Sequence, residues 1–251
     1  MERHDLASLA GFFSGDAALA KGSTVILGED AAHHARVRRL VVGDHVYLAD
    51  GAGTRAVGSI ARAAKKEIEI AVDDVTFATR LPAVHLLVPI ADRDRMLWCA
   101  EKCTELGATS WTPVLWHRSR SVSPRGEGSA FRERVCARMR SALVQSHGAW
   151  LPDIPDDASI DVVLADPMPN ATRLVLDVSG EAIGRANIAE PVTIAVGPEG
   201  GFERDELHRL REARFRPVSL GANVLRFETA AVAALAIVRA ALGVPQENAN
   251  G

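Results

Sequence analysis

Apolar and polar positions alternate over three segments of the first eighty residues, DHVYLAD, GTRAVGSIARA and KEIEIAV, with Gly43-Asp44 at the start of the first and Gly51-Ala52-Gly53 between the first and the second. A period of two bounded by glycine turns predicts a small antiparallel sheet or barrel. TVILG adds a strand ahead of them, and a short helix is expected over 30–39 with Asp30 at its cap. Leu81-Pro82 marks a boundary, because the residue before a proline leaves helical geometry. Beyond it the rhythm changes. AVHLLVPI, SWTPVLW, DVVLAD, RLVLDV, VTIAVG and RPVSL are short apolar runs expected as strands. Amphipathic stretches over 94–107, 127–147, 204–213 and 228–242 are expected as helices between them. Strands alternating with helices predict an α/β unit with a mainly parallel sheet. PQENANG at the end is expected to fray.

Composition changes this picture little. Hydrophobic residues make up 47% and charged residues 24%, which suits a soluble chain with a real core. The longest apolar run, Ala230 to Val238, is far short of the roughly 20 residues that cross a bilayer. No membrane association is expected, and a cytoplasmic location is the default. Three cysteines do not make a disulfide framework; Cys99 and Cys103 share one helix face and are expected to pack rather than bind a metal. Charge is informative only when mapped. The total of −3 hides seven arginines against two acids between Trp111 and Arg140, and twelve acids against three arginines between Asp153 and Glu206. A clustered basic face is what phosphate binding needs, although solvated surface is its ordinary explanation.

Two segments carry candidate chemistry. In IAVGPEGGF (194–202) an apolar strand runs into a loop with three glycines and a proline, before Glu203, Arg204 and Asp205 open a helix. Glycines let backbone approach a ligand closely, and strand-to-helix loops are where parallel sheets bind small molecules. A sharp turn without a ligand is the plain alternative. In SLGANVLRFETA (219–230) a second strand ends in glycine before a helix that starts near Glu228. Glu228 and Thr229 stand where capping groups belong. Arg226, between Leu225 and Phe227, has a donor fork that can hold a phosphate or a developing negative charge.

VGPEGGF followed by LGANVLRFETAA resembles the signature pair of the knotted SPOUT methyltransferases, in particular the small-subunit ribosomal RNA methyltransferase E family. HHARVRRL with Val42-Gly43-Asp44, EKCTELG (101–107), Val144-Gln145-Ser146 and Leu151-Pro152 are similar to further family segments, in the same order. The similarity spans roughly residues 20 to 243. Val144 and Gly148 depart from the glutamate and arginine usual in the family.

The resemblance implies an S-adenosylmethionine-dependent enzyme that methylates N3 of a uridine in the 16S ribosomal RNA of the small subunit, working as a homodimer. It implies a PUA-like RNA-binding β-barrel over 1–78, a SPOUT domain with a trefoil knot over 79–245, and a tail over 246–251. The cofactor is then expected against Leu176, Gly197, Pro198, Glu199, Gly200, Gly201, Leu220, Gly221, Val224 and Leu225. Arg226 is expected to stabilise charge on a uracil oxygen, and Glu228 to orient or accept a proton, unless it merely caps its helix. Arg36, Arg38, Arg118 and Arg120 are expected at RNA phosphates. Two alternatives remain, a knotted 2′-O-ribose RNA methyltransferase and a catalytically silent RNA-binding assembly factor. Cofactor binding separates the second of these.

Overall fold

The computed structural model describes residues 8–121, 124–165 and 171–243, and the chain divides into two compact units. The expected tail over 246–251 lies outside the described residues.

The first unit takes residues 1–80 together with 140–151. Its strands are β1 (Ala10–Phe13), β2 (Thr24–Leu27), β3 (His45–Ala49), β4 (Thr54–Ala63) and β5 (Ile68–Phe77), with helix α1 (Glu29–Val37) after β2. They form one sheet in the order β1-β3-β4-β5-β2. The β3–β4, β4–β5 and β5–β2 pairings are antiparallel, as the alternation predicts. β1 is not foreseen by the pattern, and it pairs parallel to β3, so the sheet is mixed rather than antiparallel. Val46, Leu48, Ile60, Ile68 and Ile70 turn inward as its core. Each fully buried aliphatic side chain of this kind contributes about 1.5–3 kcal/mol. The cap of α1 is Gly28 with no side-chain bond, not Asp30, which falls in the first turn where its charge suits the helix dipole.

Residues 140–151 join this unit although sequence position puts them beyond the expected boundary. Tyr47 is buried and its hydroxyl donates to the Gly148 carbonyl at 2.7 Å. At Gly53 a Cβ would come within 2.3 Å of the Trp150 ring, so only glycine lets that ring settle there. The Trp150 indole N–H donates to the Ala78 carbonyl at 2.9 Å.

The second unit is an α/β layer structure. Its elements are β6 (Val84–Pro89), α2 (Arg93–Glu105), β7 (Ser110–Val114), α3 (Ser129–Gln145, whose last residues belong to the first unit), α4 (Ile160–Leu164), β8 (Thr172–Ala182), β9 (Val192–Ala195), α5 (Arg204–Glu212), β10 (Arg216–Ser219) and α6 (Phe227–Leu242). All five strands run parallel in the order β10-β8-β9-β6-β7. The central strands β9 and β6 are almost wholly buried, which explains their uninterrupted apolar sequence. α6 packs against α2 and β6, burying Ala231, Ala234, Leu235 and Val238. Cys99 and Cys103 lie fully buried one turn apart on α2, with their sulfurs 3.8 Å from each other.

DVVLAD, expected as a strand, is instead the short helix α4. The Ser159 hydroxyl accepts from the Val162 amide, an N-cap that turns an apolar run of ambiguous period into helix. β8 shows a second departure from regularity. Its pairing with β10 jumps from Val175 opposite Pro217 to Glu181 opposite Val218, so residues 176–180 leave the ladder. Gly180 closes this excursion, where a Cβ would come within 2.4 Å of the Pro217 and Val218 backbone.

Candidate functional site

The loop after β9 is shaped by three glycines with different duties. Gly201 has φ +71°, the left-handed region, and its amide donates to the Pro198 carbonyl at 2.8 Å. At Gly197 a Cβ would come within 2.9 Å of the Phe202 ring, and at Gly200 within 3.0 Å of Arg118 Cδ. Phe202 cannot readily retreat, because its ring packs edge-on against the fully buried Trp116 with centroids 4.9 Å apart.

The loop then enters α5 through a capping box, in which the Glu203 amide donates to Glu206 Oε2 at 2.8 Å. Buried Glu206 also accepts from the His117 amide at 2.8 Å. Arg118 Nε donates to Glu203 Oε1 at 2.8 Å, and its Nη1 donates to the Gly200 carbonyl. The Arg118 hydrogen bond holds the Glu203 carboxyl below the usual carboxylate range. Arg118, expected at an RNA phosphate, is half-exposed and also braces the glycine loop through these bonds.

The loop after β10 supplies the opposite wall. Gly221 has φ +146°, a conformation that side chains rarely adopt. Val224 and Leu225 follow, exposed despite being apolar, and α6 begins at Phe227. The excursion of β8 brings Leu176, Asp177 and Val178 to the third side. These segments enclose a cavity of about 340 Å³, within the size range of small-molecule sites. Leu176, Gly197, Pro198, Glu199, Gly200, Gly201, Leu220, Gly221, Val224 and Leu225 all line it, so the ten positions expected to share a ligand do share one hollow.

A second cavity of about 230 Å³ adjoins the first, sharing Glu199, Val224 and Leu225 and adding Arg226 and Arg95. Arg226 occupies the N-cap position of α6 and lines this cavity; its guanidinium, a donor only, cannot cap the free amides of the helix. Glu228 sits buried in the first turn of α6 and lines neither cavity. Its carboxyl stands in the first turn, where its charge suits the helix dipole, and Thr229 is exposed. Sequence reasoning missed Arg95. It stands on the first turn of α2, where Asp92 Oδ1 accepts from its amide at 3.1 Å, and it forms an ion pair with Glu199. Its Nε lies 3.9 Å from Glu228 Oε1.

The other arginines expected at RNA lie in separate settings. Arg36 and Arg38 are exposed at the end of α1, where Arg36 Nη1 donates to the Lys65 carbonyl at 2.5 Å. The side chain of Arg120 lies outside the described residues. Among the described residues no helix is long and apolar enough to cross a membrane.

Comparison with known proteins finds two family matches along the chain. An RNA methyltransferase domain family matches residues 79–239, and an RNA methyltransferase PUA domain family matches residues 27–73. The chain is 28% identical to a ribosomal RNA small subunit methyltransferase E from Rickettsia conorii, over 88% of this chain and 91% of that one. It is 29% identical to the protein of that name from Synechocystis, over 88% of this chain and 74% of the other. The crystal structure of a ribosomal RNA small subunit methyltransferase E from Neisseria gonorrhoeae, bound to S-adenosyl methionine, superposes with a TM-score of 0.79. That pair is 28% identical and the match covers 91% of this chain and 95% of that one.

Proposed function

Because this chain belongs to the RNA methyltransferase domain family and carries a PUA domain beside it, we propose that it methylates N3 of a uridine in the 16S RNA of the small ribosomal subunit, using S-adenosylmethionine. The reading includes the knotted backbone path, homodimer and cytoplasmic residence that the resemblance implies. One observation carries it: two glycine loops and the β8 excursion enclose a ligand-sized hollow that opens beside an arginine-lined one.

The first hollow fits the cofactor. Leu176, Leu220 and Leu225 give it apolar walls, while Gly197, Gly200 and Gly201 keep side chains out of the loop and leave backbone polar groups within reach. S-adenosylmethionine supplies, when bound, a methyl carbon already activated on a sulfonium sulfur. The residues of the chain therefore have mainly to orient the acceptor. The shared wall of Glu199, Val224 and Leu225 sets the second hollow against the first, so a base held there faces the donor. Uridine N3 must lose its proton, which passes to solvent water, before its lone pair can attack, and charge then gathers on the flanking carbonyl oxygens. The Arg226 guanidinium stabilises that charge. Glu228 orients this machinery from its buried position in the first turn of α6, with its Oε1 3.9 Å from Arg95 Nε.

Replacing Arg226 by methionine tests the reading. Methyl transfer to 16S RNA should fall about 10²–10³-fold, the cost of losing one donor to a developing oxyanion. Calorimetric affinity for S-adenosylmethionine should stay within about twofold of wild type, since Arg226 lines the second hollow and not the first. Unaltered turnover would remove Arg226 from the reaction.

A further inference from the structure

We propose that Arg95 is the second guanidinium of the acceptor-base site, gripping one uracil carbonyl while Arg226 takes the other, with Glu228 acting behind it as a positioning residue. The inference rests on the function proposed above. Four observations carry it. Arg95 and Arg226 line the same 230 Å³ hollow, from different helices. Arg95 is held between two carboxylates, paired with Glu199 and 3.9 Å from Glu228. Glu228 is buried, lines neither hollow, and has one carboxylate oxygen without a hydrogen-bond partner. Asp92 fixes the first turn of α2, and so the base of the Arg95 side chain.

The chemistry follows from donor and acceptor counts. A guanidinium has five N–H donors and no acceptor. Two of them facing one hollow suit a base whose reactive nitrogen is flanked by two carbonyl oxygens, which is uracil. Cytosine offers an amino donor at one of those places, and donor would meet donor. Charge gives the same answer. Arg95 and Arg226 balance Glu199 and Glu228 among these four side chains. Without Arg95, two carboxylates and one guanidinium would meet a base that becomes an anion, and like charges at that distance oppose its formation. Glu228, turned toward Arg95 rather than toward the hollow, reaches the substrate only through that side chain.

Single-turnover methyl transfer to 16S RNA in small ribosomal subunits tests the assignment, with wild type, Arg95→Ala, Arg95→Lys and Arg226→Met compared. Arg95→Ala should lose about 10–100-fold, the worth of a charge-assisted hydrogen bond. Its affinity for S-adenosylmethionine by calorimetry should change by no more than a few-fold, through the lost pair with Glu199. Guanidinium chloride, added below the level that slows wild type, should restore part of the lost rate by occupying the vacated place. Arg95→Lys should fall between wild type and Arg95→Ala, having the charge without the fork. Wild-type turnover in Arg95→Ala, or a loss that neither lysine nor added guanidinium relieves, overturns the inference. If Arg226→Met is slow while Arg95→Ala is not, this inference alone fails. If wild-type protein transfers no methyl to uridine, the function beneath it fails as well.

Discussion

A single methyl group added at Gly197 should separate a cofactor loop from a mere turn. A Cβ there would stand 2.9 and 3.0 Å from two carbons of the Phe202 ring, against the 3.5–4.0 Å at which carbons normally touch. The ring would have to retreat by roughly half an ångström or more, and Trp116 blocks it from behind. Overpacking of this kind costs about 1–3 kcal/mol. Relief comes by moving the 197–201 backbone or the half-buried Phe202 ring, and both line the proposed cofactor hollow. Gly197→Ala should therefore lower the midpoint of thermal unfolding by about 2–4 °C per kcal/mol. In isothermal calorimetry it should weaken S-adenosylmethionine binding by about 10–100-fold, the equivalent of roughly 1.4–2.8 kcal/mol. Phe202→Leu in the same chain removes the ring edge and should return most of the affinity. Wild-type affinity in Gly197→Ala, or losses that simply add in the double variant, would refute the steric link between loop and ligand.

Arg118→Ala should weaken the cofactor by a few-fold through a loosened loop, because it removes the bonds to Glu203 and to the Gly200 carbonyl. The salt dependence of RNA binding should keep its slope; a slope reduced by about one with unchanged cofactor affinity would return Arg118 to the phosphate. Tyr47→Phe should cost about 1 kcal/mol in urea unfolding at neutral pH, as the Gly148 carbonyl loses its donor. Burial raises the Tyr47 hydroxyl above its ordinary range, so its stabilisation is complete below about pH 10 and is lost as pH rises further. The Phe variant should lack that alkaline loss, and an identical alkaline profile in both proteins would contradict the burial argument. Sedimentation should give twice the chain mass, and Val178→Asp or Val224→Asp, at apolar positions 68% and 85% exposed, should reduce it; a monomeric wild type would end the dimer proposal.

Periodicity made the α/β unit legible because its central strands are almost wholly buried, so local composition mirrors position. The two glycine loops were legible for the same reason: close backbone approach can be met only by glycine. What stayed hidden is non-local. β1 becomes a strand by pairing with β3, and its four residues carry too little pattern to announce it. Residues 140–151 look like the end of a helix in one unit, yet Trp150 and Gly148 are fixed by Gly53, Ala78 and Tyr47 of the other segment. Arg95 stands in an unremarkable helix turn, and only the fold brings Glu199 and Glu228 to it. Arg118 was legible as one of a cluster of arginines, but its partner Glu203 belongs to a distant helix start.

The most direct measurement uses small ribosomal subunits from a strain lacking its own N3-uridine methyltransferase, incubated with this protein and S-adenosylmethionine labelled in the methyl group. The RNA is digested to nucleosides and read by mass spectrometry. Label in 3-methyluridine, from the 16S RNA and dependent on Arg226, is the predicted result. Label in a 2′-O-methyl nucleoside, or binding of the subunit without any transfer of label, would contradict it.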